Sequence, residues 1–483
     1  MGKSAKAFKR PTKKQKETRK ETRREETKMQ QSIAESTPKS RAPSAAFSKT
    51  SGGGVTKAKS SRLKTRLAAA RGTAGAGSVG GKKAKTDYLK LFDKKTSLGL
   101  AIPDAAPTDT YTSTQPGAGF IEDPHSWVFS GSMLSTPRSR IAATSVGQLA
   151  FFAGGMLDNG TYTDIVDIYN KQTNTWSVAH LSSGRSSIGA GSVAGRYAIF
   201  AGGLDGSFKP MSTIDVFDTE TGKWSTIDLL TPRGSPQILD LGSTTAVIGG
   251  LSGDLQYLSN AVDYVDSELD ITNATLQLRY PQFGVAISDK TGGVGLFTAG
   301  YQNNDPGNRF NDFEASNQTT VFSTSSTSSA SFVSDQKFPY PRWGAGGAAA
   351  NGVFAVGGGH VFGDASTGSQ TTTVDRVDIY SAATGQWSNS PLELSVPRDY
   401  PLVQAVGDYI VFVSGTDQSK DFDILDTRSG AFIDNLNHKP ALYTLRSDAA
   451  STTIDNCMFI VAGGLVYQGR NATASVEMFN ACK

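Results

Sequence analysis

The sequence is poor in cysteine and has no long apolar run. Its 483 residues include two cysteines, which excludes a disulfide framework and a cysteine-rich zinc site. No stretch approaches the roughly 20 apolar residues of a membrane span, and the first 30 residues contain no apolar run typical of a secretory signal or a membrane anchor. We therefore expect a soluble, intracellular protein that does not associate with a membrane.

Acidic residues are scarce in the first hundred positions. Residues 1–100 contain 27 Lys and Arg against 7 Asp and Glu, whereas the remaining residues contain 21 against 37. Residues 32–84 are low-complexity Ser, Thr, Ala and Gly with scattered Lys, a composition that cannot bury a core. We predict a basic, mostly disordered tail at residues 1–117 and a folded domain at residues 118–483.

The tail has two candidate roles besides solubility. The segment KRPTKKQK (9–16) is typical of a nuclear-import signal, which favours a nuclear location. Its basic charge also suits RNA or DNA, although the tail has almost no aromatic residues, so any such contact would be with phosphate. The body points the other way, since four N-x-[ST] sequons suit an extracellular protein if the true start lies elsewhere; they begin at Asn159, Asn273, Asn317 and Asn471.

An apolar run that ends in glycine recurs along the body. Examples are FFAGG (151–155), IFAGG (199–203) and FIVAGG (459–464). The first glycines are spaced by about fifty residues, at Gly154, Gly202, Gly249, Gly300, Gly357, Gly415 and Gly463. An alternating segment such as VDIY (166–169) follows most runs, and a turn then leads to Trp176, Trp224 or Trp387. A period of this length indicates a repeat architecture, with four strands in each unit.

The pattern Arg…Gly-Gly…[VI]-[DE]-x-[YF]…Trp resembles the kelch repeat over roughly residues 118–483. This resemblance implies an all-β fold, a seven-bladed β-propeller of kelch type around a central channel. The departures are local: units three and four lack the Trp, unit six has Phe432 near its place, and unit four ends its run in TAG.

The segment HSWVF (125–129) precedes the first complete repeat, and the seventh repeat ends after its third strand, VEMF (476–479). We therefore predict that the strand around Trp127 completes the last blade. Such closure also removes exposed sheet edges.

Six of the seven repeats open with an arginine: Arg138, Arg185, Arg233, Arg342, Arg398 and Arg446. In kelch propellers these positions lie by the channel mouth, and in a kelch-like stress sensor some of them bind the acidic peptide of a partner. The resemblance thus implies a non-catalytic scaffold that binds a protein partner, through an acidic segment, with these arginines.

The alternative is that each arginine pairs with an acid of its own blade. Six repeats carry an acid in the third strand: Asp167, Asp215, Asp263, Asp378, Asp423 and Glu477. The fourth repeat has Gln282 in place of the arginine and Thr320 in place of the acid, as buried pairing predicts. As a test of this pairing, we expect Arg185→Ala to leave Asp167 without its partner. The two roles can coexist.

Galactose-oxidase-like copper enzymes are also seven-bladed kelch propellers, so an oxidase or sugar-modifying enzyme is an alternative. Their copper site needs two His and two Tyr with a nearby Cys. Here none of the histidines forms a Tyr-His pair; they are His125, His180, His360 and His438. Walker, GxSxG and HExxH motifs are also missing. We predict a monomeric propeller with no catalytic residues, metal or cofactor, and expect His360 to be an ordinary polar loop residue.

The two cysteines, Cys457 and Cys482, both lie in the seventh repeat. Alignment with the first repeat places Val461 opposite Met478, and the same antiparallel register places Cys457 opposite Cys482. Directly opposite Cβ atoms lie about 4.5–5.5 Å apart, just wide of the usual disulfide range. We predict neighbouring thiols that form a disulfide in an oxidising compartment and stay free in a reducing one.

Overall fold

The computed structural model describes most of the body of the chain, within the unit Leu98–Lys483. The predicted tail, Trp127 and Cys482 lie outside the described residues. These comprise 128–253, 257–273, 278, 282–289, 293–302, 314–324, 330–362, 371–415, 419–434, 439–466 and 471–481.

The fold is all-β, and it is a seven-bladed propeller. The first described strand is β1 (Val128–Met133). Blade 1 consists of β2 (Ala142–Val146), β3 (Leu149–Ala153), β4 (Ile165–Asn170) and β5 (Thr175–His180). Blade 2 consists of β6 (Gly189–Val193), β7 (Tyr197–Ala201), β8 (Met211–Asp218) and β9 (Lys223–Arg233). Blade 3 consists of β10 (Gln237–Asp240), β11 (Thr245–Ile248), the hairpin β12 (Leu251–Ser252) and β13 (Tyr257–Leu258), β14 (Val262–Val265) and β15 (Ile271–Asn273).

The next three blades repeat this order. Blade 4 consists of β16 (Gln282–Asp289), β17 (Val294–Gln302), the short β18 (Glu314–Ala315), β19 (Gln318–Thr324) and β20 (Ala330–Lys337). Blade 5 consists of β21 (Gly346–Ala350), β22 (Val353–Gly357), the hairpin β23 (His360–Phe362) and β24 (Thr371–Thr373), β25 (Arg376–Ser381), β26 (Gln386–Trp387) and β27 (Leu392–Glu393). Blade 6 consists of β28 (Leu402–Val406), β29 (Tyr409–Val413), β30 (Asp423–Asp426) and β31 (Ala431–Phe432).

The seventh blade is built from both sides of the domain. It contains β32 (Ala450–Ile454), β33 (Met458–Ala462), the hairpin β34 (Leu465–Val466) and β35 (Asn471–Ala472), and β36 (Ser475–Asn480). Strand β1 pairs antiparallel with β36, from Val128 opposite Asn480 to Met133 opposite Ser475. The innermost strand of each blade contacts that of the next, and β32 contacts β2. The ring is therefore closed by the strand that follows position 127.

The core lies between the blades. Each hydrophobic cluster joins two consecutive blades, including the last and the first. Neighbouring residues of a strand serve opposite interfaces, because side chains alternate across a sheet. Phe151 packs towards blade 2 and Phe152 towards blade 7, and both are fully buried. This two-sided burial explains the continuous apolar runs before the glycines.

The strand register in blade 7 differs from the predicted one by one residue. Val461 pairs with Glu477, so its predicted pairing with Met478 was wrong. The prediction had placed apolar residues opposite one another, whereas the acid of the third strand occupies the facing position, as Asp167 does opposite Phe152 in blade 1. Position 457 is therefore opposite 481, and the Ala481 N–H donates to the Cys457 carbonyl oxygen at 2.8 Å.

Cys457 is disulfide-bonded in this structure. The sequence holds one other cysteine, Cys482, which follows the last described residue. Within the described part of the chain, no helix is long and apolar enough to cross a membrane.

Candidate functional site

The six arginines that open the repeats are buried, and each contacts the third-strand acid of the repeat that it opens. The side chain of every one of them is 0% exposed. The pairs are Arg138–Asp167 (2.7 Å), Arg185–Asp215 (2.6 Å), Arg233–Asp263, Arg342–Asp378 (2.6 Å), Arg398–Asp423 (2.9 Å) and Arg446–Glu477. The expected contact between Arg185 and Asp167 was wrong, because the partner of Asp167 is Arg138.

The arginines also hold the backbone at the end of the second strand. Arg342 Nε donates to the Gly358 carbonyl oxygen at 2.8 Å and Nη2 to that of Val356 at 2.7 Å. Burial lowers the pKa of Arg342, and Asp378 opposes this shift. An acidic partner could reach such a guanidinium only if its blade opened. Partner binding through the six arginines stays a prediction, and their burial argues against it.

Blade 4 replaces the ion pair with neutral groups. Gln282 is buried, and its Nε2 donates to the Ala299 carbonyl oxygen at 2.6 Å. Thr320 donates instead to Asp335 at 3.1 Å. Arginine and acid are thus replaced together, which avoids an unpaired buried charge.

The glycine pairs join consecutive blades. The Gly155 N–H donates to the Arg185 carbonyl oxygen, and the Gly464 N–H donates to that of Arg138, both at 3.0 Å. A Cβ atom at Gly155 would lie 2.5 Å from the Ser139 oxygen, and its φ of +104° also requires glycine. The arginines and glycine pairs therefore fix one face of the propeller. On this face, which we call the upper face, the loops that lead into the innermost strands meet the hairpins that follow the glycine pairs.

The residue two positions after each arginine lies on the rim of the channel at this face. In six blades it adopts a left-handed conformation; these rim residues are Arg140, Ser187, Ser235, Gly344, Tyr400 and Asp448. Adjacent rim residues share backbone hydrogen bonds, such as Tyr400 N–H to the Gly344 oxygen at 2.8 Å and Arg140 N–H to the Asp448 oxygen at 2.9 Å. Left-handed non-glycine residues are costly and concentrate at functional sites. Below the rim is a cavity of about 310 Å³ lined by small and apolar residues such as Ala143 and Val403.

Blades 4 to 6 place large side chains at this rim. We call the following six residues the mouth cluster: Tyr301, Trp343, His360, Phe362, Asp399 and Tyr400. Tyr301 lies at the end of β17, and the others belong to the segments that follow Arg342, the glycine pair of blade 5, and Arg398. The backbones of Trp343 and His360 exchange two hydrogen bonds, of 2.6 and 3.1 Å.

The aromatic rings of the mouth cluster contact one another around Trp343. Tyr301 stacks on Trp343 with ring centroids 5.1 Å apart, and His360 lies 4.4 Å from the same indole. Tyr400 and Phe362 lie at 6.3 and 6.4 Å. Tyr400 is 52% exposed and Phe362 50% exposed, so the cluster presents an apolar surface to solvent.

A histidine and a carboxylate lie against these rings. His360 Nε2 is 2.5 Å from Asp399 Oδ1, and its Nδ1 is 3.2 Å from the Thr373 hydroxyl. Burial raises the pKa of Asp399, His360 opposes the shift, and Asp448 adds to it. Burial, Asp399 and Asp448 together raise the pKa of Tyr400 to about 12.

Sequence reasoning missed this site, and the expectation that His360 is an ordinary loop residue overlooked its contacts with Trp343 and Asp399. The two residues that follow each arginine do carry a signal of the mouth cluster. Most arginines are followed by small or polar residues, as in RSS (185–187) and RGS (233–235), whereas blades 5 and 6 read RWG (342–344) and RDY (398–400). Among the described residues, no group of three or more His, Cys, Asp and Glu side chains could hold a metal ion.

No family model matches the sequence, and no curated protein matches it. A solved structure titled "Structure of YjhT" is similar with a TM-score of 0.44 and 10% identity, covering 71% of this chain and 95% of that one. The strand topology of this chain itself shows the seven-bladed propeller.

Proposed function

We propose that this protein is a non-catalytic, kelch-type interaction module that binds a protein partner at the upper mouth of its channel. The observation that supports this function is the mouth cluster, with Tyr400 and Phe362 half-exposed around a central Trp343. Tyr and Trp are enriched among the residues that dominate binding energy at protein interfaces. Exposed apolar patches of this kind mark interaction sites more often than isolated exposed residues do.

The rest of the propeller serves as a rigid support. The buried ion pairs and the bonds from the glycine pairs hold each rim segment in place. Preorganised aromatic groups lose little conformational entropy on binding. The mouth cluster therefore replaces the buried arginine ring as the proposed contact surface.

The test is affinity capture with the full chain, in wild type and in two variants of the mouth cluster, Phe362→Ala and Tyr400→Asn. Asparagine is chosen because it tolerates the left-handed conformation of position 400. The matched control is Phe208→Ala, since Phe208 is 57% exposed in the upper-face loop of blade 2. A partner should be lost with both cluster variants and kept with the control. Equal capture by all four proteins would contradict the proposal.

One observation favours the second candidate, a sugar-modifying enzyme. His360 Nε2 lies 2.5 Å from Asp399 Oδ1, and both groups are close to Tyr301 and Tyr400. A histidine and a carboxylate in this arrangement would suit general acid–base chemistry. Turnover of a sugar glycoside by the purified protein, lost in His360→Gln and Asp399→Asn, would favour an enzyme of this class over the interaction module.

A further inference from the structure

We infer that the mouth cluster holds a positively charged side chain, an arginine or a lysine of the bound segment. The inference rests on the proposed function and specifies the chemistry of the partner. It reverses the expectation of an acidic partner, because the arginines are buried while carboxylates occupy the rim.

Two carboxylates from neighbouring blades lie on the part of the rim that carries Tyr400. Asp399 belongs to blade 6 and its side chain is 42% exposed, while Asp448 is an exposed rim residue of blade 7. Asp448 raises the pKa of Asp399, and both raise the pKa of Tyr400, so their negative charges act on the same small region. A cation bound between them would reduce this repulsion.

The aromatic rings supply the second recognition element. A guanidinium or ammonium group is attracted to the face of a Trp or Tyr ring, and a guanidinium also stacks on it. Tyr400 is half-exposed beside Trp343, and its ring and Asp399 Oδ1 both lie 3.1 Å from the place that a Cβ atom at Gly344 would take. Ring faces and negative charge therefore meet at one place, which suits a cation better than an anion or a neutral apolar group.

The charged residues around this site predict how substitutions should change cation binding. His360 contacts Asp399 Oδ1 and orients that carboxylate. Arg140, the rim residue of blade 1, is exposed and bonded through its backbone to Asp448. Because Arg140 adds positive charge next to Asp448, its removal should strengthen cation binding, whereas removal of either acid should weaken it.

The experiment is a fluorine NMR titration of the full chain labelled with 5-fluorotryptophan. The sequence has five tryptophans, and Trp343→Phe assigns the resonance of the mouth cluster. The probes are N-acetyl-arginine amide, the neutral analogue N-acetyl-citrulline amide, N-acetyl-glutamate amide and methyl glucoside. We expect the Trp343 resonance to shift with the arginine probe only.

The variants then test the charges. Asp399→Asn and Asp448→Asn should each weaken binding of the arginine probe about twofold to fivefold, and Arg140→Gln should strengthen it. The other tryptophan resonances report whether each variant is folded. Equal shifts with arginine and citrulline, or a shift only with glutamate or glucoside, would overturn the inference while the mouth remained a binding surface. No shift with any probe would overturn the inference, and the capture experiment would then decide the proposed function separately.

Discussion

Arg185 and Asp215 form a buried ion pair of 2.6 Å within blade 2, and their side chains are 0% and 4% exposed. The same carboxylate accepts hydrogen bonds from the backbone and hydroxyl of Ser182, which precedes the blade. The Arg185–Asp215 pair thus connects the loop that contains Ser182 to the second and third strands of blade 2.

Arg185→Ala should lower the free energy of unfolding by about 3–5 kcal/mol, because it leaves a buried charge unpaired. Arg185→Gln combined with Asp215→Thr, the residues found in blade 4, should recover much of that loss. Denaturant unfolding in a double-mutant cycle measures both effects. The control cycle pairs Arg185 with Asp167, for which additive effects are expected; strong coupling there and none with Asp215 would refute the observed pairing.

Gly344→Ala should disturb the mouth cluster. Its φ is +67°, and a Cβ atom would lie 3.1 Å from both Asp399 Oδ1 and the Tyr400 ring. Gly430→Ala is the matched control, since its φ is +70° and nothing lies within 4 Å of the added atom. Both variants should lose about 1–2 kcal/mol of stability from the left-handed backbone. Only Gly344→Ala should shift the Trp343 fluorine resonance. An equal shift in both variants would show that contact of position 344 with Asp399 and Tyr400 does not affect the surroundings of Trp343.

Asp399 should titrate above the usual range of an aspartate, because burial and Asp448 raise its pKa. Asp448→Asn should lower the pKa, and His360→Gln should raise it further, as followed by carbon-13 NMR. Because the folded-state pKa is the higher one, the folded protein keeps this proton longer, and stability falls as the pH rises from the unfolded to the folded pKa. Asp399→Asn should remove that decrease. An unshifted pKa, or one insensitive to Asp448, would contradict the electrostatic description of the rim.

Removal of β1 should open blade 7. Strand β1 forms the outer edge of that blade, and the Leu134 N–H that follows it donates to the Ala474 oxygen at 2.7 Å. Deletion of residues 1–134 should lower Tm by roughly 5 °C, since about 2–4 °C per kcal/mol applies to domains of 150–250 residues and this domain is larger. Deletion of residues 1–117 is the control and should leave Tm unchanged. If deletion of residues 1–117 also lowered Tm, the folded domain would begin before residue 118, and the predicted boundary would be wrong.

The sequence predicted the repeated parts of the fold well, because they carry local rules. Glycine pairs, alternating third strands and covarying Arg–acid positions each reflect a backbone or charge requirement that recurs in most blades. The register of Val461 was missed because apolar alternation alone does not say which residues oppose one another on strands buried on both faces. Trp343 and His360 of blade 5 and Asp399 of blade 6 were missed because they are distant in the sequence, and their contacts depend on how the loops of one blade and of its neighbour pack together.

The most direct test of the mouth cluster as a partner-binding surface is site-specific photo-crosslinking in cells that normally make the protein. A photoreactive phenylalanine analogue replaces Phe362 in one variant and Phe208 in another, two upper-face positions of similar exposure. We predict a discrete protein adduct from position 362, with an arginine or lysine in the crosslinked segment, and none from position 208. An adduct at position 208 with none at position 362 would contradict the account.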